Sequence, residues 1–402
     1  MPSITRRRLL AGGAAVAACG YGGYRLVHGA PDAAFETWTP EPGTWPLDRY
    51  DPANTAHNPY ASPPREPPAA RELAAIASAG GDDAYHVPLA GPDRIAVFGT
   101  QLAAEAGGES TPYGEFRAGF AGFGPDGRLH AVRRTGTDTE LLGFDGDERA
   151  YRATVPDHAE GLTVGRDEVY VGTNWGDVVA YDGGGRNWTA RGETTALSDG
   201  RLYTAGGRVG TLAYRERNRP ARLVSPGPER AWTAPSVRGT PHPPAVADGR
   251  LVVGTRGMSE GALAAFDAET GDRLWGPEAF GDGGVADVST PAVSGRDGYV
   301  AAGVDGLEAG VVARYDLETG DRLWHAETDW YASDPTLADG TLVVAGDVRA
   351  GPEAPASVVR AYDAASGDEL WTRTFPGEGG TSLALVGDRV IATEGRSLYE
   401  LA

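Results

Sequence analysis

Residues 264–275, 313–324 and 360–371 are copies of one phrase: an aromatic residue, Asp, two variable residues, Thr or Ser, Gly, Asp, a charged residue, Leu and Trp. The terminal residues Trp275, Trp324 and Trp371 lie 49 and then 47 residues apart. A unit this size cannot bury its own apolar face, so neighbouring copies must stack. The period is that of a four-stranded β-propeller blade with long loops, which makes the chain all-β.

Each repeated residue has a mechanical reason. The carboxylates of Asp267, Asp316 and Asp363 can accept backbone N–H groups two residues on, while Gly271, Gly320 and Gly367 supply the positive φ of a tight, bulged turn. Alternating apolar residues lead into the turn and Arg-Leu-Trp or Glu-Leu-Trp leads out, so the phrase joins two strands. The indole is expected to bury its face against the adjacent blade. Ahead of each turn lies an apolar hairpin, twice around Asp-Gly at Asp248-Gly249 and Asp339-Gly340.

Weaker copies occupy residues 162–188 and 195–214, and earlier ones begin at Asp126 and Asp93. That makes seven units. The tail from Leu383 to Leu401 supplies part of an eighth, which a segment near Phe35, Trp38 or Trp45 is expected to complete. The predicted architecture is therefore an eight-bladed propeller of four-stranded antiparallel blades, with seven blades as the alternative. Closing the ring removes exposed strand edges.

The phrase Ala-x-Asp-x-x-Thr-Gly-x-x-x-Trp, preceded by Pro-x-Val-x-Asp-Gly, resembles the pyrroloquinoline-quinone-like (PQQ-like) propeller repeat. That family includes quinoprotein alcohol dehydrogenases and the B lipoprotein of the bacterial outer-membrane β-barrel assembly machinery. Residues 45–55 are similar to the segment that often precedes its first blade. The resemblance runs from about residue 45 to the end and is strongest over 243–372. It implies the fold rather than a function, because the repeated residues serve turns and packing.

The formal charge is −20, and all 36 basic residues are Arg. So acidic a surface disfavours nucleic acid and anionic lipid. Such usage resembles proteins of salt-accumulating archaea, where molar salt shortens the Debye length to about 3 Å.

Arg6 and Arg7, followed by a short apolar run, have the form of a twin-arginine export signal. Residues 16–19 end in Cys19, the single cysteine, and resemble a lipobox whose thiol takes a lipid anchor. The organisation expected is a signal and lipobox over 1–19, a tether and wrapping segment over 20–68 that includes the ring-closing strand, and a propeller over 69–402. The mature chain would stand lipid-anchored on the outer face of the cytoplasmic membrane.

Sequence patterns give no catalytic, cofactor-binding or metal residues. The quinone-and-calcium reading, PQQ with Ca²⁺, lacks the vicinal cysteines that the dehydrogenases commonly carry. The seven histidines have no close metal-ligand spacing. Asp145-Gly146-Asp147 and Asp282-Gly283-Gly284 lack the ligand series of a calcium loop. Gly257-Met258-Ser259-Glu260-Gly261 spells a nucleophile elbow without the helix that must follow one.

Arg215, Arg217, Arg219 and Arg222 concentrate positive charge as a possible partner contact, and Asn187-Trp188-Thr189 is an N-glycosylation acceptor. Trp175, Trp330 and Tyr331 are candidate sugar-stacking residues. The expected function is a noncatalytic, monomeric, membrane-tethered scaffold that binds a protein or another envelope component, and not nucleic acid. The alternatives are a PQQ-dependent dehydrogenase and a carbohydrate-binding or carbohydrate-processing propeller.

Overall fold

Each repeat folds as an antiparallel meander in which inner strands are Val- and Ala-rich and the outermost strand alternates, because only its inner face is covered. The computed structural model describes residues 35–75, 86–98, 103–106, 109–112, 117–207, 210–216, 227–258, 261–280, 286–304, 309–348, 356–376, 381–395 and 397–402, and these form strands and turns without helix. Five four-stranded sheets span 87–112, 117–155, 159–191, 194–234 and 331–376. A ten-stranded sheet spans 240–328, where Arg256 and Gly257 pair with Asp287 and Ala286 and so join two meanders.

The last sheet combines three C-terminal strands with Ala70–Ala75, which pairs antiparallel with Ser397–Leu401. This partner strand is not the expected one. Phe35 instead packs on Tyr170 and Trp188, and Trp45 bridges Ala90. Big aromatics made those positions look like strand residues, but they fill gaps between sheets.

First strands touch first strands around the molecule: Arg117–Phe123 meets Ala159–Val164, then Thr194–Ser198, Ala245–Ala247, Ala292–Ser294, Tyr331–Ala338 and Ser382–Val386, which also touches Val87–Ala90. Between sheets, the repeated phrase acts as a clasp. Asp267 Oδ1 accepts the N–H groups of Glu269 and Thr270 at 2.9 and 2.8 Å, and Gly271 has φ of 79°. Asp316 and Asp363 repeat the arrangement.

The flattened turn then receives the indole of the preceding meander. Trp232 Nε1 donates to Ala268 O, Trp275 to Leu317 O at 2.8 Å and Trp324 to Ala364 O at 3.0 Å. Trp371 has no further copy to meet, and it donates to Pro64 O at 2.7 Å. Of the three predicted tryptophans, Trp275 and Trp324 thus share one environment, and Trp371 makes the same kind of bond to the N-terminal segment instead. Glycine is required at each turn because a Cβ on Gly320 would lie 2.7 Å from Trp275.

Residues 45–62 cross the molecule at the end where the first strands stop. Trp45 exchanges two backbone hydrogen bonds with Ala90, Pro46 accepts from Phe123, Pro52 from Leu197, Ala53 from Val246, Thr55 from Val293 and Ala56 from Leu337. Asn58 Nδ2 donates to Leu385 O at 2.8 Å, and just upstream Trp38 Nε1 reaches Val164 O. Every first strand is gripped at least once near its last residue. The path is so tight that Tyr50, Asn54 and Ala56 take φ of 72°, 57° and 47°, conformations costing about 1 to 3 kcal/mol each.

Two substitutions test this account. Gly320→Ala should lose about 1 kcal/mol more in equilibrium urea unfolding than Gly127→Ala, which has the same φ sign but open space around it. Asn58→Ala strips Leu385 O and Thr44 O of a buried donor and should cost about 2 to 4 kcal/mol, read from the same unfolding curves.

Candidate functional site

Residues 45–62 floor the ends of the first strands, and polar side chains gather above that floor. Arg49 is 4% exposed. Its Nη2 donates to Thr290 O and Pro335 O at 2.8 and 2.9 Å, and its Nη1 stands 3.9 Å from the Asp334 carboxylate. Next to it, Asp48 is reached by solvent. Its carboxyl is nevertheless pushed up to about 6 by desolvation and by the charge of Asp334, against the pull of Arg49. Solvent touches the carboxyl while protein crowds it on its other sides, and that crowding disfavours the charged form. Asp51, held by Thr55 N and Oγ1 at 3.0 and 2.7 Å, is likewise raised to about 6 by burial.

The wall above is built where first strands begin and second strands finish. His242 Nε2 lies 2.5 Å from Asp287 Oδ1. Burial pulls the imidazole down, but the hydrogen bond and charge of Asp287, with a contribution from Asp334, leave it raised. Asp287 also bonds Tyr331 and has Arg256 Nε at 4.0 Å, and its pKa is lowered despite burial. Across the opening, Glu160 is raised by burial and by Glu193, and Glu394 by burial and by Asp347.

Carboxylates in a concave, poorly hydrated wall favour a cationic group at contact range. The His242 ring is paired with Asp287, an orienting group, and no hydroxyl or thiol among the described residues is hydrogen-bonded to that ring. Among the described residues no three His, Cys, Asp or Glu side chains converge as a metal ligand set.

The residues singled out from sequence are scattered. Arg6, Arg7, Cys19, Arg217, Arg219 and Arg222 lie outside the described residues, as do Ser259, Glu260 and Asp282-Gly283-Gly284. Arg215 ends the strand Gly210–Arg215 opposite Glu229. Asn187 is exposed, and its Nδ2, the atom a glycan would take, donates to Glu168, which also accepts from Trp188 Nε1 at 3.1 Å. Gly257, Met258 and Gly261 belong to a strand, turn and strand. Asp145 is tied to Arg128 at 2.7 Å.

One sugar candidate needs correction: Trp330 is 1% exposed with the Arg360 guanidinium 5.4 Å from its ring centroid, so no ring can stack on it. Tyr331 is half-buried on Asp287, whereas Trp175 is 60% exposed. Sequence reasoning missed Asp48, Arg49, His242 and Asp287. For Asp48 and Arg49 the signal was the density of Asp, Arg and Asn between 48 and 58, five of eleven residues, more than a tether needs; His242 and Asp287 had none.

A family model described as outer membrane protein assembly factor BamB matches residues 125–308, 217–350 and 308–402. No curated protein matches the chain. Among solved structures, the computationally designed Ika8 protein is similar at TM-score 0.59 and 11% identity, over 82% of this chain and 99% of that one. Sqt1 of Saccharomyces cerevisiae is similar at TM-score 0.54 and 12% identity, over 84% and 98%. The quinohemoprotein alcohol dehydrogenase of Comamonas testosteroni is matched at TM-score 0.40 and 12% identity, over 89% and 80%. The fold is a β-propeller with PQQ-like repeats.

The recess has a pH signature. Asp48 binds its proton more tightly folded than unfolded, so its contribution to stability is full below about pH 4 and is lost as pH rises through about 6. Asp48→Asn should therefore gain on the wild type between pH 4 and pH 7, measured as the difference in Tm across that range; parallel pH profiles would refute the recess.

Proposed function

The chain belongs to the family described as outer membrane protein assembly factor BamB, and on that premise we propose a noncatalytic, exported, membrane-anchored propeller that holds a protein or other envelope partner at its open mouth. The ten-stranded sheet counts as two blades, which gives eight, and Ala70–Ala75 closes the ring. One observation carries the reading: residues 45–62 bond the ends of the first strands on one face, while the carboxylates of Asp287, Asp334, Glu160, Glu193, Asp347 and Glu394 lie near one another's strands toward the other.

The direction of the chain supports an orientation. Phe35 N donates to Gly200 O, in the turn that follows the first strand Thr194–Ser198. The segment ahead of it therefore leaves from the stoppered face. An anchor at Cys19 would turn that face to the membrane and the mouth outward. If the surroundings are as saline as the composition suggests, charges farther apart than about 3 Å are screened. The mouth would then select a basic group by contact inside the recess and not by long-range steering.

Three measurements test this. Cys19→Ala should move the expressed chain from the membrane fraction to the soluble one. Paired Asp287→Asn and Asp334→Asn substitutions should weaken crosslinking to the native envelope partner by tenfold or more, with the fold intact. Stoichiometric uptake of quinone and calcium with dye reduction would replace the scaffold reading by an oxidoreductase.

A further inference from the structure

On the stoppered face, away from the mouth, a cleft of about 380 Å³ opens between residues 57–62 of the crossing segment and two meanders. Its size is within the ~300 to 1,000 Å³ range of small-ligand sites. We propose that this cleft binds a neutral, hydroxyl-rich ligand, a short saccharide, with Tyr60 as the stacking platform.

The lining has the chemistry sugars require: an aromatic face for the C–H side of a pyranose and polar groups that both donate and accept. Tyr60 is a large aromatic left 48% exposed at the edge of the cleft. Its backbone is pinned, since its N–H donates to Asn58 Oδ1 at 2.9 Å and Asn58 is itself locked to Leu385. The backbone carrying the platform is thus held before any ligand arrives, which lowers the ordering cost of binding.

Around it stand His57, Ser62, Ser294, Asp297 and Asp339. Desolvation holds the His57 imidazole below its usual range, so at neutral pH its ring offers one donor and one acceptor, as a hydroxyl needs. Asp297 is fixed by Arg314, whose Nε and Nη2 donate at 3.0 Å each. Each carboxylate oxygen keeps a second lone pair for a sugar hydroxyl, while the guanidinium cancels the charge that would otherwise demand a cation. The same feature separates this cleft from the acidic mouth. The inference stands whether or not a partner occupies that mouth.

A saccharide could arrive as a free glycan or as the headgroup of a glycolipid, and the stoppered face meets either. The test uses the full chain and two probes. One is a panel of neutral oligosaccharides from one to four residues, read by saturation-transfer NMR; the other is vesicles with and without a neutral glycolipid, read by flotation. Saturable binding is expected in at least one arm, and which arm responds names the source.

Tyr60→Ala should reduce affinity tenfold or more, whereas Tyr60→Phe should keep most of it. Because hydroxyl contacts and not ion pairs hold the ligand, affinity should change less than threefold between about 0.1 and about 1 M salt. Trp175→Ala, at an exposed indole elsewhere, should bind as the wild type does. Absence of saturable binding in both arms would overturn the proposal. So would binding that survives Tyr60→Ala or disappears with Trp175→Ala.

Discussion

The backbone hydrogen bonds between residues 45–62 and the ends of the first strands are the constraint on which the rest of this molecule depends. A propeller of dissimilar repeats has a weakness at its axis: among the described residues first strands pack side by side without a ladder between them, and the one link across sheets joins Arg256 and Gly257 of a second strand to Asp287 and Ala286. The crossing segment supplies partners there. Each of its bonds contributes about 0.5 to 1.5 kcal/mol net, enough together to offset the three positive-φ residues it carries.

The second set of links lies at the rim, where indoles dock onto the turns of the next repeat. Trp232, Trp275 and Trp324 use the repeat itself, whereas Trp371 uses Pro64. Arg373 follows the same rule by donating to Pro68 O. The N-terminal segment therefore serves twice, first as a stopper at the axis and then as the missing repeat for the last indole. Ala70–Ala75 completes the sheet immediately afterwards. Stopper, dock and closing strand are consecutive in sequence, so none can be displaced without pulling on the others.

That continuity bears on function. A stoppered axis converts a through-channel into a recess with a floor, and Asp48 and Arg49 become its deepest polar groups. The recess and the cleft beside Tyr60 lie on opposite faces because one segment builds both, the floor of the first and a wall of the second. With a single cysteine at residue 19, no disulfide within the chain can hold the sheets together, and burial, hydrogen bonds and ion pairs such as Arg65 with Asp363 must do so.

The sequence by itself determined the strand, turn and indole arithmetic of the repeat, since Asp267, Gly271 and Trp275 and their copies act through contacts a few residues away or one fixed period on. It also determined the Asp-Gly hairpins, where Asp248 and Asp339 take the positive φ that such turns require. The tertiary structure alone decided where residues 35–69 go and what they create. His242 and Asp287 are 45 residues apart in the chain yet 2.5 Å apart in space, and Arg49 reaches carbonyls 241 and 286 residues away. No periodic pattern encodes such pairs, because side chains of different repeats meet only once those repeats have packed together.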